Sequence, residues 1–82
     1  MSLAMATNPK PTRAMKEFGD RLKAARLLAG YNYAEDFAKD VGVEAPRYRR
    51  YERGDAWPPL EVLLKISELT NTRLDMLLAG RK

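Results

Sequence analysis

Residues 37–54 read FAKDVGVEAPRYRRYERG, and the rest of the chain is organised around them. The stretch predicts a short helix, a turn at Val41, Gly42 and Val43, and a second helix from about Glu44 to Arg53 that stops on Gly54. On a 3.6-residue period Tyr48, Tyr51 and Glu52 share one face of that second helix, while Arg49, Arg50 and Arg53 gather on the opposite one. Arg47 flanks them. A helix patterned in this way docks its tyrosines on its own domain and holds its guanidinium groups outward. Gly42 suits the turn because a left-handed backbone is needed there and glycine meets it without steric strain. Pro46 falls in the first helical turn, where it has no intrahelical hydrogen bond to lose. Glu44 occupies the N-cap region, where a carboxylate favours the helix dipole but repels a nearby phosphate.

A chain of 82 residues holds one small domain and must commit most of its apolar side chains to a single core. It has no cysteine and no histidine, which removes disulfides, thiolate metal sites and the commonest general base. No acid, base and nucleophile set is recognisable, so an enzyme is not expected, and no cofactor or metal is implied. The net charge of +4 is compatible with a polyanionic partner. Its placement says more. From Ala45 to Arg53 there are four arginines against one glutamate, whereas acids and bases balance from Ala14 to Val43. Arginine without lysine favours forked hydrogen bonding over mere solubility. The competing explanation is an ordinary solvated face with Glu44 and Asp55 as local partners. No apolar run is long enough to cross a bilayer and no secretory signal is visible, so the expected location is the cytoplasm, associated with the nucleoid.

Working outward toward the N-terminus, residues 1–13 lack a hydrophobic period and contain Pro9 and Pro11, which reads as a flexible arm ahead of a domain over 14–80. Met5 is a second candidate start, so the first four residues are either native or vector-derived. Lys10 and Arg13 are candidates for phosphate contact, or else part of a plain solvated tail. The first helix is expected to begin after Thr12 and to run to about Ala29, closed by Gly30. Phe18, Leu22, Ala25 and Ala29 form its core stripe with Leu28 on the flank, and Arg26 lies at the stripe's edge. Asn32 and Glu35 fit a capping box for the next helix, whose core face is Tyr33, Ala34, Phe37 and Val41.

Toward the C-terminus, Asp55 to Pro59 forms a loop in which Trp57 is either a lid on the core or a contact for a second chain or for DNA. Pro59 is well placed to start a helix running from about Leu60 to Leu69. Leu60, Val62, Leu63, Leu64 and Ile66 cover most of that helix's circumference, which predicts that the others surround it. Thr72 and Asp75 open a last short helix ending by Gly80, with Leu74, Leu77 and Leu78 inward and Met76 outward. Met76 is either part of a dimer contact or an isolated surface residue.

The string Phe37-Ala38, Val41-Gly42-Val43, Tyr48, Tyr51-Glu52, Gly54, then Pro58, Leu60, Leu63 and Leu64, resembles the Cro and lambda-repressor (XRE-type) helix-turn-helix family. The resemblance covers roughly Phe18 to Leu78. It implies an all-α, five-helix domain that binds double-stranded DNA as a homodimer, in a prokaryotic or phage transcriptional regulator and more specifically a repressor. It pairs Arg26 with Glu52 in a largely buried ion pair that locks the first helix to the third. It places Ala45, Pro46 and Arg50 against bases and Arg53 against the phosphate backbone. Arg50 is then the principal base reader, with Arg47 or Arg49 second. The segment from Gly30 to Phe37 is one residue longer than the family pattern, with the surplus expected around Tyr31. Tyr33 is then either a hydroxyl for a phosphate or a core ring. The rival reading is a protein-binding module on the same fold, such as an antitoxin or adaptor with a protein partner. Glu44, Ala45 and Pro46 speak for it, and the four arginines against it.

Overall fold

Thr12 opens the first helix of the computed structural model, which describes residues 11–80. Its hydroxyl accepts from the Met15 amide (3.1 Å), and Met15 Sδ accepts from the Thr12 amide (3.5 Å). The two orphan amides are thus met by a box in which a thioether replaces the usual carboxylate. The helices are α1 (Arg13–Leu28), α2 (Ala34–Val41), α3 (Ala45–Arg53), α4 (Leu60–Thr70) and α5 (Leu74–Ala79). They enclose one core of Phe18, Leu22, Phe37, Val41, Tyr48, Tyr51, Leu63, Ile66 and Leu77. An aromatic chain crosses it edge to face, from Tyr31 to Phe37 (4.8 Å), Tyr48 (5.4 Å) and Tyr51 (6.2 Å). Trp57 lies over Phe18 at 5.4 Å, half-exposed, as a lid on this core.

Glycine lets α1 and α3 meet. A Cβ built on Gly19 would stand 2.3 Å from the Glu52 carbonyl oxygen, and one on Gly54 would stand 2.6 Å from Lys16 Cα. Gly54 also has φ +79°, a left-handed value that ends α3. Backbone therefore packs on backbone where the first and third helices cross.

Several expectations about which side chains lie inside fail, for related reasons. Leu28 is 89% exposed and Ala29 is exposed too: the last turn of α1 is covered on the side of Ala25 and Arg26, and Leu28 falls on its open side. Met15, not foreseen as core, is buried by the capping turn. The two tyrosines exchange places: Tyr31 packs on Phe37 and donates to Asp40 (2.7 Å), while Tyr33 is 68% exposed. The expected Asn32–Glu35 box does not form, since Tyr33 is the N-cap of α2 and has no side-chain bond. Nor is α4 surrounded. Leu63 and Ile66 are buried, but Leu60 (64%) and Leu64 (51%) face solvent because α1, α2 and α5 cover only one side. The start of α4 is as expected, with Leu60 its first residue and Pro59 its N-cap. Thr72, by contrast, does not cap α5: its hydroxyl donates to the Thr70 carbonyl (3.1 Å), and Arg73 takes the N-cap position. Leu77 is buried and Leu74 half-buried, while Leu78 is exposed with Met76.

Lys10 and the rest of the arm before Pro11 lie outside the described residues. Among the described residues, no helix is long and apolar enough to cross a membrane.

Candidate nucleic-acid interface

The arginine face depends on how firmly the opposite face of α3 is held. Tyr48 and Tyr51 are buried in the core, and Gly42 (φ +96°) sets the turn that delivers α3 from α2. The turn closes with the Gly42 and Val43 amides both donating to the Ala38 carbonyl (2.9 and 3.0 Å). One polar cluster completes the seat. Arg26 Nε donates to Glu52 Oε2 (2.6 Å) and its Nη2 to Oε1 (3.3 Å), a two-pronged pair between α1 and α3. Its Nη1 donates to the Tyr31 carbonyl (2.8 Å), and the Tyr48 hydroxyl donates to Glu52 Oε2 (2.5 Å). Arg26 is only 5% exposed, so the pair is locked in a poorly solvated site.

These contacts set the protonation of the cluster. Burial works against the Arg26 charge, but the Glu52 carboxylate and the Tyr48 hydroxyl outweigh it and hold the guanidinium's pKa above its usual value. Burial first, and then the bond to Glu52, push the Tyr48 phenol far up. Both groups keep their protons at any working pH.

The outward side chains differ in how free they are. Arg47 and Arg50 are exposed; among the described residues Arg47 has no side-chain partner, and Arg50 reaches only the Asp55 carbonyl at 3.5 Å. Arg49 is tied to Glu35 of α2, and Arg53 to Asp55 (2.9 Å). Glu35 is held below the ordinary carboxylate range by its own backbone amide and then by Arg49. Pro46 is exposed, and Ala45 is partly buried. Ala45, the first residue of α3, packs against the core. Tyr33 stands exposed as the N-cap of α2, and its side chain makes no capping bond. Beside it, Lys23, Arg26, Ala34, Arg49, Glu52 and Arg53 line an open cleft of about 310 Å³.

Sequence reasoning missed the contributions of Lys23, which lines this cleft, and of Arg21. Arg21 donates to the Leu77 and Leu78 carbonyls (2.8 and 2.9 Å) and so closes the C-terminal end of α5 against α1. Nothing in the local pattern signals the Arg21 contact, which spans 56 residues.

Fold and face together define a five-helix domain with a helix-turn-helix whose second helix presents arginine. The helix-turn-helix family model matches residues 22–77, and the chain belongs to that family, of the Cro and lambda-repressor type. A curated relative, the SPbeta prophage-derived uncharacterized HTH-type transcriptional regulator YonR of Bacillus subtilis, is 38% identical over 63 residues. The match takes in 77% of this chain and 57% of that protein. Among solved structures, the P22 c2 repressor in complex with synthetic operator 9T aligns with a TM-score of 0.69 and 29% identity, over 78% of this chain and 96% of that one. The restriction-modification controller protein C.AhdI of Aeromonas hydrophila shares the fold, with a TM-score of 0.72 and 24% identity over 80% and 98% of the two chains.

Proposed function

We propose that this chain is a sequence-specific double-stranded DNA-binding transcriptional regulator, a repressor, that lays α3 in the major groove. The observation that carries the reading is the division of α3. One face is fixed by Tyr48, Tyr51 and the Arg26–Glu52 pair, and the other holds out Arg47 and Arg50 with almost nothing to bind. Arg50 reads guanine through its O6 and N7 acceptors, which the planar guanidinium fork matches. Arg47 is the second reader in preference to Arg49, which Glu35 engages. Arg53 meets the phosphate backbone, and Pro46 offers an apolar contact to a thymine methyl group. Tyr33 and Lys23 flank the cleft beside α3 and suit a phosphate there.

The regulator acts as a homodimer on a roughly palindromic operator, one α3 in each of two major grooves about 34 Å apart. A protein-gripping module is not favoured: the relatives that match are named as a transcriptional regulator and an operator-bound repressor. Gel shifts on operator-enriched and random duplexes across a salt series test the proposal. Affinity is expected to fall steeply and log-linearly with salt as phosphate counterions are released. Binding that ignores ionic strength, or no duplex binding at all, contradicts it.

A further inference from the structure

The arginines do not account for the one acid at the leading end of α3. Glu44 is the N-cap residue in extended backbone (φ −70°, ψ 145°), yet its side chain bonds no amide of the first turn. It is exposed, and among the described residues its carboxylate has no hydrogen-bond or ion-pair partner. With Gly42, Val43 and Arg47 it lines an open cleft of about 300 Å³. Ala45 is turned toward the core, and Pro46 has no side-chain donor or acceptor. The polar side chains left at this end of the helix are therefore Glu44 and Arg47. A carboxylate is repelled by phosphate, but on base edges in the major groove it fits one donor well, the N4 amino group of cytosine.

We propose that Glu44 is a specificity-determining residue that accepts a hydrogen bond from the N4 amino group of a cytosine in the major groove. The inference rests on the DNA-reading role proposed above for α3. Glu44 precedes Arg50 by six residues, about 9 Å along the axis, which is roughly two to three base steps of 3.4 Å. Each half-site then carries a cytosine two or three pairs from the guanine that Arg50 reads. Arg47, on the same cleft, offsets the negative charge that Glu44 brings near the phosphates.

The test is enrichment of random duplexes on the wild-type chain, Glu44→Gln and Glu44→Ala, followed by titration of the selected duplex with N4-methylcytosine at the position in question. That base carries a methyl group in place of the groove-facing hydrogen. Wild type is expected to demand cytosine there and to bind the methylated duplex about tenfold more weakly, the scale of one base contact. Glu44→Ala loses the preference and is indifferent to the methyl group; Glu44→Gln shifts toward adenine, whose N6 and N7 suit an amide. Variants that select the wild-type sequence unchanged, while gaining affinity for every duplex alike, make Glu44 a merely repulsive charge and overturn the inference with the DNA-reading role intact. A wild-type chain that selects no sequence overturns that role itself. Because the Glu44 side chain bonds nothing among the described residues, both variants are expected to fold and to lose only the small helix-dipole contribution of the carboxylate.

Discussion

A guanidinium buried to 5% exposure and held by a single carboxylate makes Glu52 costly to lose. Glu52→Ala leaves Arg26 with only the Tyr31 carbonyl, and Arg26 cannot escape by neutralising because a guanidinium is intrinsically too basic to give up its proton in a protein. The expected loss is about 3–5 kcal/mol, read from urea unfolding. The paired replacement Arg26→Met with Glu52→Leu is expected to cost less than Glu52→Ala alone, since no charge is then left buried. On the outward face the arginines divide by what they touch. Arg50→Ala is expected to weaken specific binding by about 1–3 kcal/mol and to relax preference at one base pair. Arg53→Ala, which also gives up only the exposed Asp55 pair, weakens all duplexes alike and lowers the salt slope by about one. Equal losses on specific and random DNA for both variants would reject this division of labour.

Between elements, the crossing of α1 and α3 is set by glycine. Gly19→Ala drives a methyl group to 2.3 Å from the Glu52 carbonyl oxygen, so α3 must move away from α1. A destabilisation of roughly 1–3 kcal/mol is expected in urea, accompanied by weaker DNA binding because the Arg26–Glu52 seat shifts with the backbone. No local pattern disclosed this position, because a glycine in mid-helix shows its purpose only once the partner backbone is in place. The same limit explains the exchange of Tyr31 and Tyr33. Helical periodicity places residues within a helix, while the ring that fills the gap beside Phe37 belongs to the loop before α2. What could be read was the part governed by local rules: the turn at Gly42, the inward Tyr48 and Tyr51, and the outward Arg47 and Arg50. The pairing of Arg26 with Glu52 was suggested by family resemblance alone, and the fold brings the two together. The link between α2 and α3 through Glu35 and Arg49 has a pH signature of its own. A carboxylate whose folded pKa is depressed stabilises above its unfolded value and loses that contribution as pH falls through the folded one. The Glu35 carbon titration followed by NMR is therefore expected to have its midpoint below the ordinary glutamate range. Arg49→Ala should raise it only partway, because the residue's own backbone amide is the larger cause.

At the scale of the whole molecule, one α3 presents too few contacts to define a long site, and the proposed homodimer needs an apolar surface away from that helix. Leu60 and Leu64 are exposed along α4, and Leu28, Met76 and Leu78 are exposed on or beside α5, so the apolar surface lies on helices other than the reading helix. Association through either group leaves the Arg47 and Arg50 face open, and a rigid pair then fixes the separation of its two reading helices. Half-sites are expected about one turn of duplex, 10 to 10.5 base pairs, apart. Inserting five base pairs between them puts the second half-site on the opposite side of the DNA. Inserting ten restores the side but doubles the distance. A rigid dimer tolerates neither insertion, and each is expected to reduce affinity to that of a single half-site in a gel-shift titration. Independently binding monomers tolerate both, and unchanged affinity on the two lengthened operators would show that the reading helices are not coupled.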